Sequence, residues 1–251
     1  MNSAEESRSK VPEVTLIFWL IKIAATTLGE TGGDAVSMSM NLGYLVSTGI
    51  FAAVFALAVF AQISRKGFHP FMYWTTIIAT TTVGTTLADF ADRSLGIGYA
   101  GGTIILFSLL MASLFLWHRT LGSIAVDTVS SPKSETFYWV TIMFSQTLGT
   151  ALGDWTADTA GLGYSGGAIV FGAMLAAIAT AYYLTNISRT ALFWAAFILT
   201  RPLGAVVGDF LDKPFELGGL DLSRYSASAA LLVFMVGCIL IFPQRAAARS
   251  H

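Results

Sequence analysis

The chain carries little charge: Asp, Glu, Lys and Arg make up only 12% of its 251 residues, against about 25% in an ordinary soluble domain. Too few polar groups remain to cover a water-facing surface. Cysteine is nearly absent. Cys238 stands alone in an apolar run, which excludes an internal disulfide and a cysteine metal site. His69, His118 and His251 are too few and too scattered for a zinc or copper cluster. Neither sign of charge prevails: 14 Lys and Arg face 15 Asp and Glu, and no basic patch interleaves with aromatics, so nucleic acid is excluded as a partner. No cleavable leader is expected either. The opening MNSAEESRSK has mixed charge and enters an apolar run without an Ala-x-Ala site, so a retained first span is expected.

What the chain has in abundance is apolar length, 55% of its residues with a mean hydropathy of +0.68. Apolar stretches fall at 14–34, 42–63, 71–92, 96–117, 136–158, 161–184, 191–212 and 226–242. Each approaches or exceeds the ~20 residues that cross a ~30 Å hydrocarbon core. The expected fold is an all-α polytopic membrane protein of eight transmembrane helices, with the lipid bilayer as its first partner. Short Gly-rich gaps group the spans into four two-helix repeats. Residues 1–12 and 244–251 are read as tails, 13–118 and 136–243 as halves of two hairpins each, and 119–135 as the linker between them.

The repeats share fixed positions. An aromatic-Trp pair opens each odd span: Phe18-Trp19, Tyr73-Trp74, Tyr138-Trp139 and Phe193-Trp194. Counted from each Trp, position +10 is Gly29, Gly84, Gly149 and Gly204; position +15 is Asp34, Asp89, Asp154 and Asp209; position +24 is Gly43, Gly98, Gly163 and Gly218. The first and third Trp are 120 residues apart, as are the second and fourth, so the halves read as a duplication.

Nine Lys and Arg (Arg8, Lys10, Arg65, Lys66, Arg119, Lys133, Arg189, Arg245 and Arg249) fall on the side of the termini, against Arg93, Lys213 and Arg224 on the other. The positive-inside rule then places both termini in the cytoplasm. If each Trp marks the inner interface, position +15 stands ~22 Å above it, in the outer third of the core. Carboxylates at that depth cost ~2.5–3.5 kcal/mol each and face protein or water. The other reading puts them at headgroup level, as helix-end residues.

On a helix, positions +7 or +8, +11, +15 and +18 or +19 line one stripe. That stripe carries Thr26, Thr27, Glu30 and Asp34; then Thr81, Thr82, Thr85, Asp89 and Asp92; then Gln146, Thr147, Thr150, Asp154 and Asp158; then Arg201, Asp209 and Asp212. It reads as a lining surface, unlike Thr bonded to its own helix. The glycines at +10, with small residues at +14, read as helix packing. Arg201, followed by Pro202, places a cation near the middle of the seventh span, as an internal counter-charge or a structural tether. Lys22, one turn above Trp19, is expected to snorkel to the inner interface in a structural role.

Gly163-Tyr164-Ser165-Gly166-Gly167 fits G-x-S-x-G, but the second copy has Ala100 at the nucleophile position and no base is placed beside it, so no enzymatic activity and no cofactor are expected. The convergent groups are hard oxygens, with backbone carbonyls expected to join them if the chain unwinds at Gly32-Gly33. Such a set suits Mg²⁺, Mn²⁺, Ca²⁺ or protons.

With its fourfold Trp-x9-Gly-x4-Asp-x8-Gly motif, the whole chain resembles the bacterial uncharacterised membrane-anchored proteins, which implies a bacterial inner-membrane location and no assigned activity. Glu30-Thr31-Gly32-Gly33-Asp34 is also similar to the Glu-x-Gly-Asp signature of metal/proton exporters. It departs by one inserted residue and lacks the following basic residue.

The expectation is a transporter of cations, divalent metal ions foremost. Asp34, Asp89, Asp154, Asp209 and Glu30 would bind the cation, with Asp92, Asp158 and Asp212 forming an outer acidic mouth. A non-transporting assembly protein with a buried acidic-Arg network, and a transporter of an anionic solute anchored by Arg201, are the alternatives.

Overall fold

The computed structural model describes residues 9–247; Arg8, Arg249 and His251, used in the counts above, lie outside them. Eight long α-helices follow one another: α1 (Leu16–Asp34), α2 (Gly43–Ser64), α3 (Pro70–Asp89), α4 (Tyr99–Leu121), α5 (Pro132–Asp154), α6 (Gly163–Leu184), α7 (Arg189–Asp212) and α8 (Arg224–Ile241). Side chains of Thr15, His69, Ser131 and Ser188 accept from first-turn amides of the odd helices, and Pro70 and Pro132 occupy first-turn positions where no intrahelical donor is lost.

The recurrent Asp ends the α-helix in three copies. After Asp34, Asp89 and Asp154 the chain widens into a π-helical turn, Ala35–Ser39, Phe90–Ser94 and Trp155–Thr159; only α7 runs on, to Asp212. The recurrent glycine at +24 has a mechanical reason. Gly43, Gly98, Gly163 and Gly218 all take positive φ, between 65° and 84°, which residues with a Cβ rarely adopt.

The odd helices close into a ring, α1 against α3, α3 against α5, α5 against α7, and α7 back against α1. Each even helix leaves its own hairpin partner and packs along the next odd helix: α2 on α3, α4 on α5, α6 on α7, α8 on α1. The expected hairpins are thus joined in sequence but interleaved in space. The odd helices approach too closely for a helix to lie between them, so the outer helices occupy the grooves outside.

Five helices, α2, α4, α6, α7 and α8, are long and apolar enough to cross a membrane. The four outer ones present Leu57, Phe60, Ile104, Phe115, Ile169, Leu184, Val233 and Leu240 to the surroundings, an apolar surface of a kind rare on soluble monomers. The inner α1, α3 and α5 are diluted by the Thr and Gly of their packed faces.

The aromatic pairs are not interface anchors, as the sequence suggests. Phe18, Tyr73, Trp74, Tyr138, Trp139 and Trp194 are buried inside the ring, with the Tyr73 and Tyr138 hydroxyls 2.6 Å apart; Trp19 is partly exposed. Together with Trp117 and Phe197 they fill that end of the bundle. The reason is volume: four helix faces diverging from their close contacts leave a space that only large side chains fill. Nor are the described parts of the tails free. Pro12 pairs with Ala246 in an antiparallel bridge, Lys10 N donates to Val129 O, and the Lys10 ammonium lies 2.6 Å from the buried Glu135 carboxylate.

Candidate functional site: a carboxylate cluster on the ring axis

The glycines at +10 bring the polar faces together. A Cβ on Gly29 would meet Thr81, on Gly84 the backbone of Gln146 and Thr147, on Gly149 Arg201 and Pro202, and on Gly204 Thr26. Each glycine therefore seats against position +7 of the next repeat, and the fourth closes onto the first. Packing at this range needs glycine, because an added Cβ would fall at 3.0 Å or less from the facing helix.

The threonine stripe divides. Position +8 is satisfied within its own helix: Thr27, Thr82 and Thr147 donate to Ile23 O, Ile78 O and Met143 O. This corrects the reading of all these Thr as lining. Positions +7 and +11, about 60–100° around the helix, also reach neighbours, as in Thr81 to Ala25 O and Thr85, which has both Gly29 O and its own helix's Thr81 O within reach. The helix also stays wound at Gly32-Gly33, whose neighbour Thr31 O accepts, with Gly32 O, from the Ala35 amide. No unwound carbonyls are available there; the irregular turn begins only at Ala35.

Arg201 lies across the axis. Its Nη2 reaches Glu30 Oε2 at 2.9 Å, Thr85 Oγ1 at 2.6 Å and Thr150 Oγ1 at 2.5 Å, the +11 residues of the other three repeats. It is fully buried. Lys22 is equally buried and points inward, its Nζ 4.2 Å from the centre of the Phe197 ring and 3.4 Å from Thr200 Oγ1. Snorkelling is therefore overturned: α8 and α7 pack over this face of α1 and leave the ammonium an inward path.

One turn beyond Arg201, Asp34, Asp89, Asp154 and Asp209 are all buried, at most 4% exposed. Two cations at position +19 bridge them in pairs. Arg93 joins Asp89 (2.9 Å) to Asp154 (3.3 Å), and Lys213 joins Asp209 (2.9 Å) to Asp34 (2.8 Å). The pairs are related by the 120-residue duplication. Burial alone would lower the Lys213 ammonium pKa, but Asp209, Asp34 and Asp212 outweigh it and hold it above the usual lysine range. Asp89 and Asp154 likewise outweigh burial and raise Arg93. The charge pattern alone places both cations in the connectors outside the site, although each follows its Asp by four residues, the spacing of a helical ion pair.

The three outer acids do not share one mouth. Asp212 pairs with Arg224 Nε at 2.7 Å, Asp92 packs against Gly102 with neither oxygen hydrogen-bonded among the described residues, and Asp158 is exposed beside the Tyr99 hydroxyl. The duplication is broken at one corner. Glu30, Asp34 and Asp209 each offer an oxygen within 4.8 Å of the others; the equivalent corner holds Thr150 in place of Glu30.

Neither curated proteins nor solved structures give a match. A family model described as Repeat of Unknown Function (DUF347) matches four times, at residues 17–68, 72–123, 137–188 and 192–244, in register with the four Trp-to-Gly motifs. The chain belongs to that repeat family.

Proposed function

We propose that the protein is an integral membrane carrier of cations, divalent metal ions first, in which all eight helices span the bilayer and both termini lie in the cytoplasm, in a bacterial inner membrane. The supporting observation is the Glu30, Asp34 and Asp209 corner. Three carboxylate oxygens lie within 4.8 Å of one another, and the Lys213 ammonium sits between Asp34 and Asp209. A cation of hard-oxygen preference would stand where that ammonium stands. Lys213 follows the last residue of α7 and precedes Pro214, so it can swing aside without unwinding a span.

Charge balance supports the same reading. Glu30, Asp34, Asp89, Asp154, Asp209 and Asp212 face Arg93, Arg201, Lys213 and Arg224, which leaves two negative charges for an incoming ion or for protons. The aromatic plug and the Arg201 guanidinium obstruct the axis beyond the carboxylates, which favours an occluded carrier over an open channel. A second reading, a buried network that only specifies assembly, draws on the fact that every one of the four Asp already has a cationic partner.

Reconstitution separates the two. In proteoliposomes, Mn²⁺ flux above that of empty liposomes, lost in Asp209→Asn with the protein still folded, supports transport. Intact reconstituted protein without flux of Mn²⁺, Mg²⁺ or Ca²⁺ supports the assembly role.

A further inference from the structure

Below the carboxylates the axis changes sign. Lys22 and Arg201 are both fully buried, on adjoining helices α1 and α7, and Lys22 Nζ touches Thr200, the residue before Arg201. Among the described residues, the carboxylate within ion-pair distance of either is Glu30, and it is spent on Arg201 Nη2. The rest of the donor set has nothing to donate to. Arg201 Nε and Nη1 are buried without a hydrogen-bond partner among the described residues, as is the donor Nε2 of Gln146, a fully buried residue at the same +7 position on the adjoining α5.

A buried ammonium with no carboxylate at ion-pair distance costs several kcal/mol, and each orphaned buried donor costs about 1–3 kcal/mol more. A set of such donors with one positive charge in surplus is complementary to one monovalent anion. A groove of about 660 Å³, bounded by α1, α6, α7 and residues 125–127, reaches as far as Thr200, whose hydroxyl Lys22 Nζ touches, and has Arg189 along it.

We propose that Lys22, Arg201 and Gln146 form a binding site for one desolvated halide-type anion, chloride in the cell, between the aromatic plug and the carboxylate cluster. The anion supplies the countercharge that Glu30 cannot give to two cations. It holds the guanidinium across the axis from below while Glu30, Thr85 and Thr150 hold it from above. The site is independent of whether the carboxylates carry a metal ion.

The test is thermal unfolding of the full chain in detergent, in sodium chloride, sodium bromide and sodium gluconate at equal ionic strength, paired with anomalous diffraction from bromide-grown crystals. Wild type should gain stability saturably with either halide, and bromide should appear between Lys22 Nζ and Arg201. Lys22→Met should fold and lose the halide dependence. Gln146→Leu, which keeps both cations, should raise the half-saturating halide concentration by about fivefold, one hydrogen bond's worth. Equal melting in chloride and gluconate, an unchanged half-saturation in Gln146→Leu, or water without a bromide signal at this position would overturn the proposal.

Discussion

Two corners of the ring are built to the same plan and loaded differently. Where the second repeat meets the third, Arg93 clamps Asp89 to Asp154; where the fourth meets the first, Lys213 clamps Asp209 to Asp34. Only the second corner adds Glu30, held by Arg201, and Arg224 reaching toward Asp34 at 3.7 Å. Duplication thus supplies a common scaffold of glycine contacts and bridging cations, and a few side chains turn one corner into a concentrated acidic site. Burial differs as well: the Lys213 side chain is 11% exposed against 34% for Arg93.

Removing Glu30 should separate the corners most. Glu30→Leu leaves the Arg201 guanidinium buried without its carboxylate and should cost about 3–5 kcal/mol, whereas Thr150→Ala removes one hydrogen bond to the same guanidinium and should cost about 1.5–3 kcal/mol. Chemical unfolding of the two variants in detergent reads the difference; equal losses would break the comparison. Next comes the pair of clamps. Lys213→Met should destabilise by about 2–4 kcal/mol and Arg93→Met by about 1 kcal/mol, because water already screens the more exposed guanidinium. A larger effect for Arg93 would reverse the assignment of the acidic corner.

The glycine contacts give a smaller contrast. A Cβ at Gly204 would lie 2.8 Å from Thr26 backbone and closer still to its side chain, while at Gly84 the nearest atoms of Gln146 and Thr147 are 3.0 Å away. Gly204→Ala should therefore cost about 2–3 kcal/mol and Gly84→Ala about 1 kcal/mol, measured by thermal unfolding. Smallest of all, Gly172→Ala on outer α6, with nothing within 4 Å, should be neutral or stabilising by up to ~1 kcal/mol, for helix propensity alone.

Much of this arrangement was legible in the residue pattern, and the parts that were not share a cause. Period and spacing carry the helices, the four copies and the common face, since those depend on local geometry. The ring closure does not: that Gly29 seats on Thr81, and α8 on α1, depends on which neighbour a helix chooses, and hairpin order suggested the wrong one. Trp74 and Trp139 read as interface anchors because sequence gives depth along the membrane normal but not whether a side chain faces lipid or axis. Lys22 was misplaced for the same reason. Arg93 and Lys213 could have been found, since Asp89 and Asp209 precede each by one helical turn. The π turns after Asp34, Asp89 and Asp154 have no residue-level signal that we recognise; Ala35–Ser39 and Trp155–Thr159 share neither Gly nor Pro.

The central claim, that one acidic corner of the ring holds a cation, is tested most directly by an equilibrium Mn²⁺ isotherm on the purified chain, alongside Glu30→Gln, Asp209→Asn and Asp154→Asn. The account predicts saturable binding of one ion per chain, reduced at least tenfold by Glu30→Gln and by Asp209→Asn and far less by Asp154→Asn. Non-saturable binding to the wild type, or an equal loss from Asp154→Asn, would contradict it.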